Sequence, residues 1–153
     1  MPDKLDADLH RVHLVARTLH ERAWYPAHDP RTETPAYKAE HHHLCIELDT
    51  PCWICGIRNS TGGKMETHHW HLEYALMNAS DPAKVAIDFP DVPLDDLQAF
   101  RDWVDHSPEN LLVLCDSHHR FQFTGVHAIT FPIWTAQRYV KIDYDITAEK
   151  PHN

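Results

Sequence analysis

No apolar run in the sequence approaches the roughly 20 residues that a helix needs to cross a bilayer, so a helical membrane anchor is not expected. The first eight residues are acidic. They do not form the basic stretch and apolar core of a secretory leader, so the chain reads as cytoplasmic. Glycine, serine and glutamine tracts are missing, as is any internal repeat, which argues against a disordered chain and against a solenoid. Positive charge is also scarce. Fourteen Lys and Arg stand against 23 Asp and Glu, a formal net charge of -9, which is the wrong sign for tight nonspecific binding to nucleic acid. The deficit is local: between positions 81 and 105, seven aspartates face only Lys84 and Arg101, a net of -5. The remainder of the chain is closer to balance.

What is present suits one globular domain. A chain of 153 residues with 42% hydrophobic side chains and five tryptophans can bury one core. Leu5, Leu9, Val12, Ala16, Leu19 and Ala23 recur at helical spacing, with Asp3 as the expected N-cap and Pro26 beyond the end. Residues 26–35 then read as a linker, which gives an N-terminal helix and linker over 1–35 and a main domain over 36–153. Within that domain a tight turn is expected at 52–56, an extended segment at 64–73 and an acidic insertion at about 74–107. The insertion should carry a helix over 94–104. An apolar strand at 110–115 should lead into a helix capped by Asp116, with another strand at 128–131 and a short helix from Pro132. This order predicts an α+β fold.

Two constellations carry chemistry. Cys52-x-x-Cys55 and Cys115-x-x-His118 are knuckles of the kind that place two soft donors on one turn. Together they offer three thiolates and one imidazole to a tetrahedral structural zinc. The competing reading makes Cys115 a core residue and the other two a redox pair, although no strand-helix redox context follows Cys55. Cys45 stands alone and reads as a small buried residue. Fifteen histidines are a heavy load for this length and direct attention to His68-His69, to Asn110 and to His119. Neighbours on a helix point about 100° apart, so His118 can face the zinc while His119 faces another site. Neighbours on a strand diverge too, so one of His68 and His69 can hold a metal while the other holds a water.

The blocks CWIC, ETHHWH and ENLLVLCDSHH, spread over residues 52–120, resemble the zinc-containing HNH, or ββα-metal (His-Me finger), endonucleases of phage and mobile elements. By that resemblance His68 is the first catalytic metal ligand, His69 the general base, Asn110 the residue that orients the base, and His119 the second metal ligand. Cys52, Cys55, Cys115 and His118 hold structural Zn2+. Two departures stand out: the fourth zinc ligand is histidine where cysteine is usual, and the connection from His69 to Asn110 is long. The resemblance implies cleavage of DNA with one divalent ion (Mg2+, Mn2+, Ni2+ or Zn2+), leaving 5'-phosphate and 3'-hydroxyl ends. It also implies a host-cytoplasm location and phage packaging proteins as partners.

The residue types suit that chemistry. Phosphodiester hydrolysis needs a water made nucleophilic and a cation for the charge that develops, and a neutral imidazole accepts a proton near neutrality. Glu66 is a candidate to orient a metal-binding imidazole. Arg120, Arg58 and Lys64 are candidate phosphate contacts, each with an ordinary surface charge as its alternative. His71 is a substitute ligand at best. The run His41-His42-His43 reads as a helix flank, and Trp70, Trp103, Phe121, Phe123 and Trp134 as core. A function from another class stays open: a catalytically silent, zinc-stabilised module that binds protein or nucleic acid and uses the acidic insertion to meet a basic partner.

Overall fold

The structure is a computed structural model and describes residues 26–129 and Trp134. The expected N-terminal helix, its Asp3 cap and the start of the helix at Pro132 lie outside those residues. Strands β1 (Met65–His69) and β2 (Leu111–Cys115) pair antiparallel into a two-stranded sheet, in register from Met65 opposite Cys115 to His69 opposite Leu111. Four α-helices are complete among the described residues: α1 (Pro35–His42), α2 (Pro82–Asp88), α3 (Leu97–His106) and α4 (Asp116–Arg120). The architecture is therefore α+β, as the order of sequence patterns suggests. No helix among the described residues is long and apolar enough to cross a membrane.

Local sequence explains the element ends. Thr34 caps α1 by accepting the amide of Tyr37, and Pro35 occupies the first turn, where its missing N–H has no helical partner to lose. His41 and His42 fill the last turn of α1, so the histidine run does flank a helix; the chain then continues as one π-helical turn, His43–Glu47, that buries Cys45. In β1 the alternation is strict. Met65, Thr67 and His69 are buried on one side, whereas Glu66 and His68 face the other.

Several expected boundaries move for identifiable reasons. The extended segment at 64–73 stops at His69 because, after the Trp70 amide bonds the Asn110 carbonyl, the Asn110 side chain captures the amides of His71 and Leu72. The insertion helix starts at Leu97, not at 94, because Asp96 accepts the amides of Gln98 and Ala99 and sets the first turn there. Leu94 is left exposed. Asn110 closes a 3-10 turn (Pro108–Asn110) and so precedes β2. Cys115, in extended conformation, occupies the cap position of α4, and Asp116 is the first helical residue. Ala128 and Ile129 lie in turns that bond back to the Gly125 carbonyl, so the described part of 128–131 is not a strand.

Apolar side chains gather in two cores. One joins Cys45, Cys52, Ile54, Met65, Val113, Leu114, Cys115 and Trp134 around the sheet; the other joins Met77, Val92, Phe100, Trp103 and Val104 inside the insertion. The insertion is thus a folded subassembly that turns its acid outward, with Asp81, Asp88, Asp91, Asp95, Asp96 and Asp102 exposed and Asp105 alone buried. Phe100 is fully buried, so Phe100→Ala is expected to destabilise the fold by about 3–5 kcal/mol in chemical denaturation. A loss below about 1 kcal/mol would show that the insertion core contributes little.

Candidate metal centres

The junction of β2 and α4 places donors on two sides. Cys115 ends β2 and His118 lies one turn into α4, while Cys52 and Cys55 come from the turn that precedes β1. That turn is fastened to the sheet. The Trp53 amide donates to the Val113 carbonyl at 3.0 Å, Cys52 N to Ile57 O at 2.8 Å, and Gly56 N to Cys52 O at 2.9 Å. Gly56 has φ of 77°, the left-handed region that closes the knuckle and that a side chain would disfavour.

Ligand atoms of Cys52, Cys55, Cys115 and His118 all lie within 4.8 Å of one another. Cys55 Sγ is 3.9 Å from Cys115 Sγ, and His118 Nδ1 is 3.8 Å from Cys52 Sγ and 3.2 Å from Cys115 Sγ. A tetrahedral ion with metal–sulfur bonds of about 2.3 Å has edges of about 3.5–3.8 Å between donors, so the spacing suits one metal ion. It does not suit a disulfide, whose sulfurs are about 2 Å apart, and the cysteines are free thiols. Cys52 and Cys55 are not bonded to each other in this structure.

Electrostatics favours a cation at this point. Burial opposes ionisation of Cys52, but a hydrogen bond with His118 and three backbone amides outweigh it and bring the thiol down to about 6. Burial, and then the neighbouring charge of Cys52 and Cys55, push Cys115 up to about 12. Cys55 is raised as well, by burial and by Cys52. Three thiols this close cannot all ionise unless positive charge joins them.

A second cluster lies across α4. His68 from the outer face of β1, His119 from α4 and His127 from the turn beyond it bring their ring nitrogens within 4.8 Å of one another. His119 Nε2 is 3.1 Å from His127 Nε2, close to the edge of about 3.3 Å that two imidazoles share on one tetrahedral metal. His119 Nδ1 lies 2.5 Å from Glu66 Oε2, so the carboxylate takes that N–H and leaves the Nε2 lone pair directed into the cluster. Glu66 also accepts from Arg120 Nε at 2.6 Å. Burial opposes its ionisation, yet Arg120 and His119 hold its carboxyl below the usual range. Burial, and then the charges of His127, His119, His69 and Arg31, depress His68 to about 3. His119 is lowered too, mainly by burial. The two rings stay neutral and keep lone pairs for a cation.

His127 is the candidate donor that sequence reasoning missed. It stands eight positions after His119 but beyond the end of α4 at Arg120, so no helix carries it to that face, and it reaches the cluster because the chain turns back at Gly125. A β-carbon there would sit 2.6 Å from the Phe121 carbonyl oxygen, so only glycine allows that turn.

His69 occupies the opposite face of β1. It is buried between Tyr37, whose ring stacks on it at 5.8 Å, and Tyr74 at 6.1 Å. Its Nε2 lies 3.0 Å from the Asp105 carbonyl and donates to it, which leaves Nδ1 as the nitrogen with a lone pair. Burial and the charge of Arg31 lower its pKa, and Asp105 opposes them. Asn110 is fully buried and makes four hydrogen bonds: it accepts from His71 and Leu72 amides and donates to the Leu72 and Val104 carbonyls. It therefore fixes the backbone that follows His69 and the Val104 carbonyl, whose next neighbour along the chain, the Asp105 carbonyl, receives the imidazole.

The charged candidates differ in position. Lys64 and Arg120 line a cleft with Glu33, Lys38, His41 and Glu66. Arg58 does not line it and bonds instead to the Asp49 carbonyl at 2.5 Å. His71 is exposed, packs its ring near Trp70 and Phe89, and joins neither metal cluster.

Comparison of the chain with models of protein families, with curated proteins and with solved structures returns no match.

Two metal ions per chain are the expected content by elemental analysis in divalent ion. Cys52→Ser should lose one of them and melt at lower temperature, whereas His127→Ala should lose the other with the melting temperature nearly unchanged. Loss of both ions from either variant would show that the clusters are not separate sites.

Proposed function

We propose that the chain is a metal-dependent endonuclease of the HNH, or ββα-metal, type, which hydrolyses phosphodiester bonds in DNA. Cys52, Cys55, Cys115 and His118 hold a structural Zn2+, and His68, His119 and His127 hold one catalytic divalent ion. The observation that carries this reading is the cluster of His68, His119 and His127 about α4, with His69, whose Nε2 is taken by the Asp105 carbonyl, next in sequence on the opposite face of β1. A module with only a structural role has no use for the second cluster.

Each residue has a task set by its contacts. His69 donates Nε2–H to the Asp105 carbonyl, so its Nδ1 accepts the proton of the attacking water. His69 ends β1, and a phosphate lying across the end of the strand meets both faces. Asn110 holds the backbone that holds the imidazole, and Glu66 fixes the tautomer and orientation of His119. The ion, when bound, supplies positive charge for the phosphate and the leaving oxygen. Lys64 sits where a flanking phosphate can be met, and Arg120 does so with its charge already shared with Glu66.

A second reading draws on the exposed aspartates of the insertion, which suit a basic protein partner of a silent zinc module. A plasmid-nicking assay with Mg2+, Mn2+, Ni2+ and Zn2+ separates the two. Wild type should nick, and His69→Ala should be slower by about 10²–10⁴ with metal content retained. His119→Ala should instead regain part of its rate as divalent ion is raised. Because burial lowers His69, the acid limb of kcat/KM should fall below the ordinary imidazole value of 6.5, with rate lost as the ring protonates on acidification. No cleavage of DNA with any of the four ions, or an unimpaired His69→Ala, would remove the nuclease reading.

A further inference from the structure

The guanidinium groups singled out from the sequence are already engaged, Arg120 by the Glu66 carboxylate and Arg58 by the Asp49 carbonyl. Arg31, from the segment before α1, is not. Its guanidinium carbon rests 4.5 Å from the centre of the Tyr37 ring and 5.7 Å from that of Tyr74, the same two rings that flank His69. It is exposed and makes no ion pair among the described residues.

That placement calls for an anion. A guanidinium stacked on aromatic rings keeps its N–H edge open while the rings hold its plane, and bidentate recognition of a phosphate uses that edge. The Tyr37 ring is fixed in turn, since its hydroxyl bonds Thr67 Oγ1 at 2.8 Å and the Thr67 carbonyl at 3.2 Å. Arg31 is thus carried on a ring tied to β1 itself.

We propose that Arg31 is a substrate-binding residue, which grips a backbone phosphate of the nucleic acid at the end of β1 beside His69. This rests on the nuclease reading for the identity of the polyanion. It explains how a chain with a net charge of -9 holds a phosphodiester: a guanidinium beside His69 supplies local charge, while the exposed aspartates sit on the insertion.

The test measures binding of a fluorescein-labelled DNA duplex by anisotropy, without divalent ion and across a salt series, beside cleavage by the same proteins with metal. Arg31→Met keeps an apolar stem on the Tyr37 ring and removes the charge, and Arg31→Lys keeps charge but not the planar fork. Arg31→Met should weaken binding about 10-fold and flatten the slope of log affinity against log salt by about 0.9. Its cleavage should fall by at least as much, and Arg31→Lys should lie between it and wild type. Wild-type affinity and slope in Arg31→Met would overturn the assignment, whatever its cleavage rate. If wild type binds with an Arg31-dependent slope yet cleaves nothing, the phosphate contact stands and the nuclease reading falls. If wild type binds no DNA, both fall.

Discussion

Helix α4 begins where β2 ends, and its third and fourth residues are His118 and His119. Because consecutive helical side chains diverge by about 100°, one imidazole turns toward three cysteines and the other toward His68 and His127. Most of the remaining architecture keeps these two rings in place. The knuckle at Cys52 and Cys55 is bonded to β2 through Trp53, β1 is paired to β2 along its whole length, and Trp134 Nε1 donates to the His118 carbonyl at 3.0 Å. A five-residue helix has little stability of its own. Its position comes from the groups its side chains reach.

The two clusters differ in what they demand. Three crowded thiols and an imidazole repel one another's ionised forms, so that site tends toward a tightly held cation that stabilises the folded chain. Three imidazoles bring no thiolate charge and leave positions open, which is the condition for an ion that also touches a substrate. Glu66 divides its oxygen between His119 and Arg120, and so couples the His119 face of α4 to the cleft that contains Lys64. On the other face of β1, Asn110 and Asp105 serve His69 through backbone atoms, which draws the insertion into the site at its inner end while its acid stays outside.

How much of this is legible in the sequence depends on whether a feature is local. The knuckles are two short spacings, and their four members do lie together. His68 and His119 also meet, because adjacency to another donor marked them. His127 escaped notice since its approach depends on a turn at Gly125 that no helical or strand period describes. Arg31 escaped for a similar reason: in sequence it belongs to a proline-rich linker, and only the packing of α1 on the sheet brings it to His69. The insertion helix was recognised by its apolar spacing, but its start was set by a cap, Asp96, that outweighed the apolar Leu94. The residues of the expected N-terminal helix fall outside those the structure describes.

The account stands or falls on one chain holding two ions in two chemically distinct sites that share α4. The direct measurement is a pair of anomalous difference maps, from crystals grown with zinc and then soaked in manganese. Two zinc peaks are expected, one among Cys52, Cys55, Cys115 and His118 and one among His68, His119 and His127, with manganese replacing zinc only at the second, since thiolates select the softer ion. A single peak at the cysteines, with no metal at the imidazoles under either condition, would contradict it.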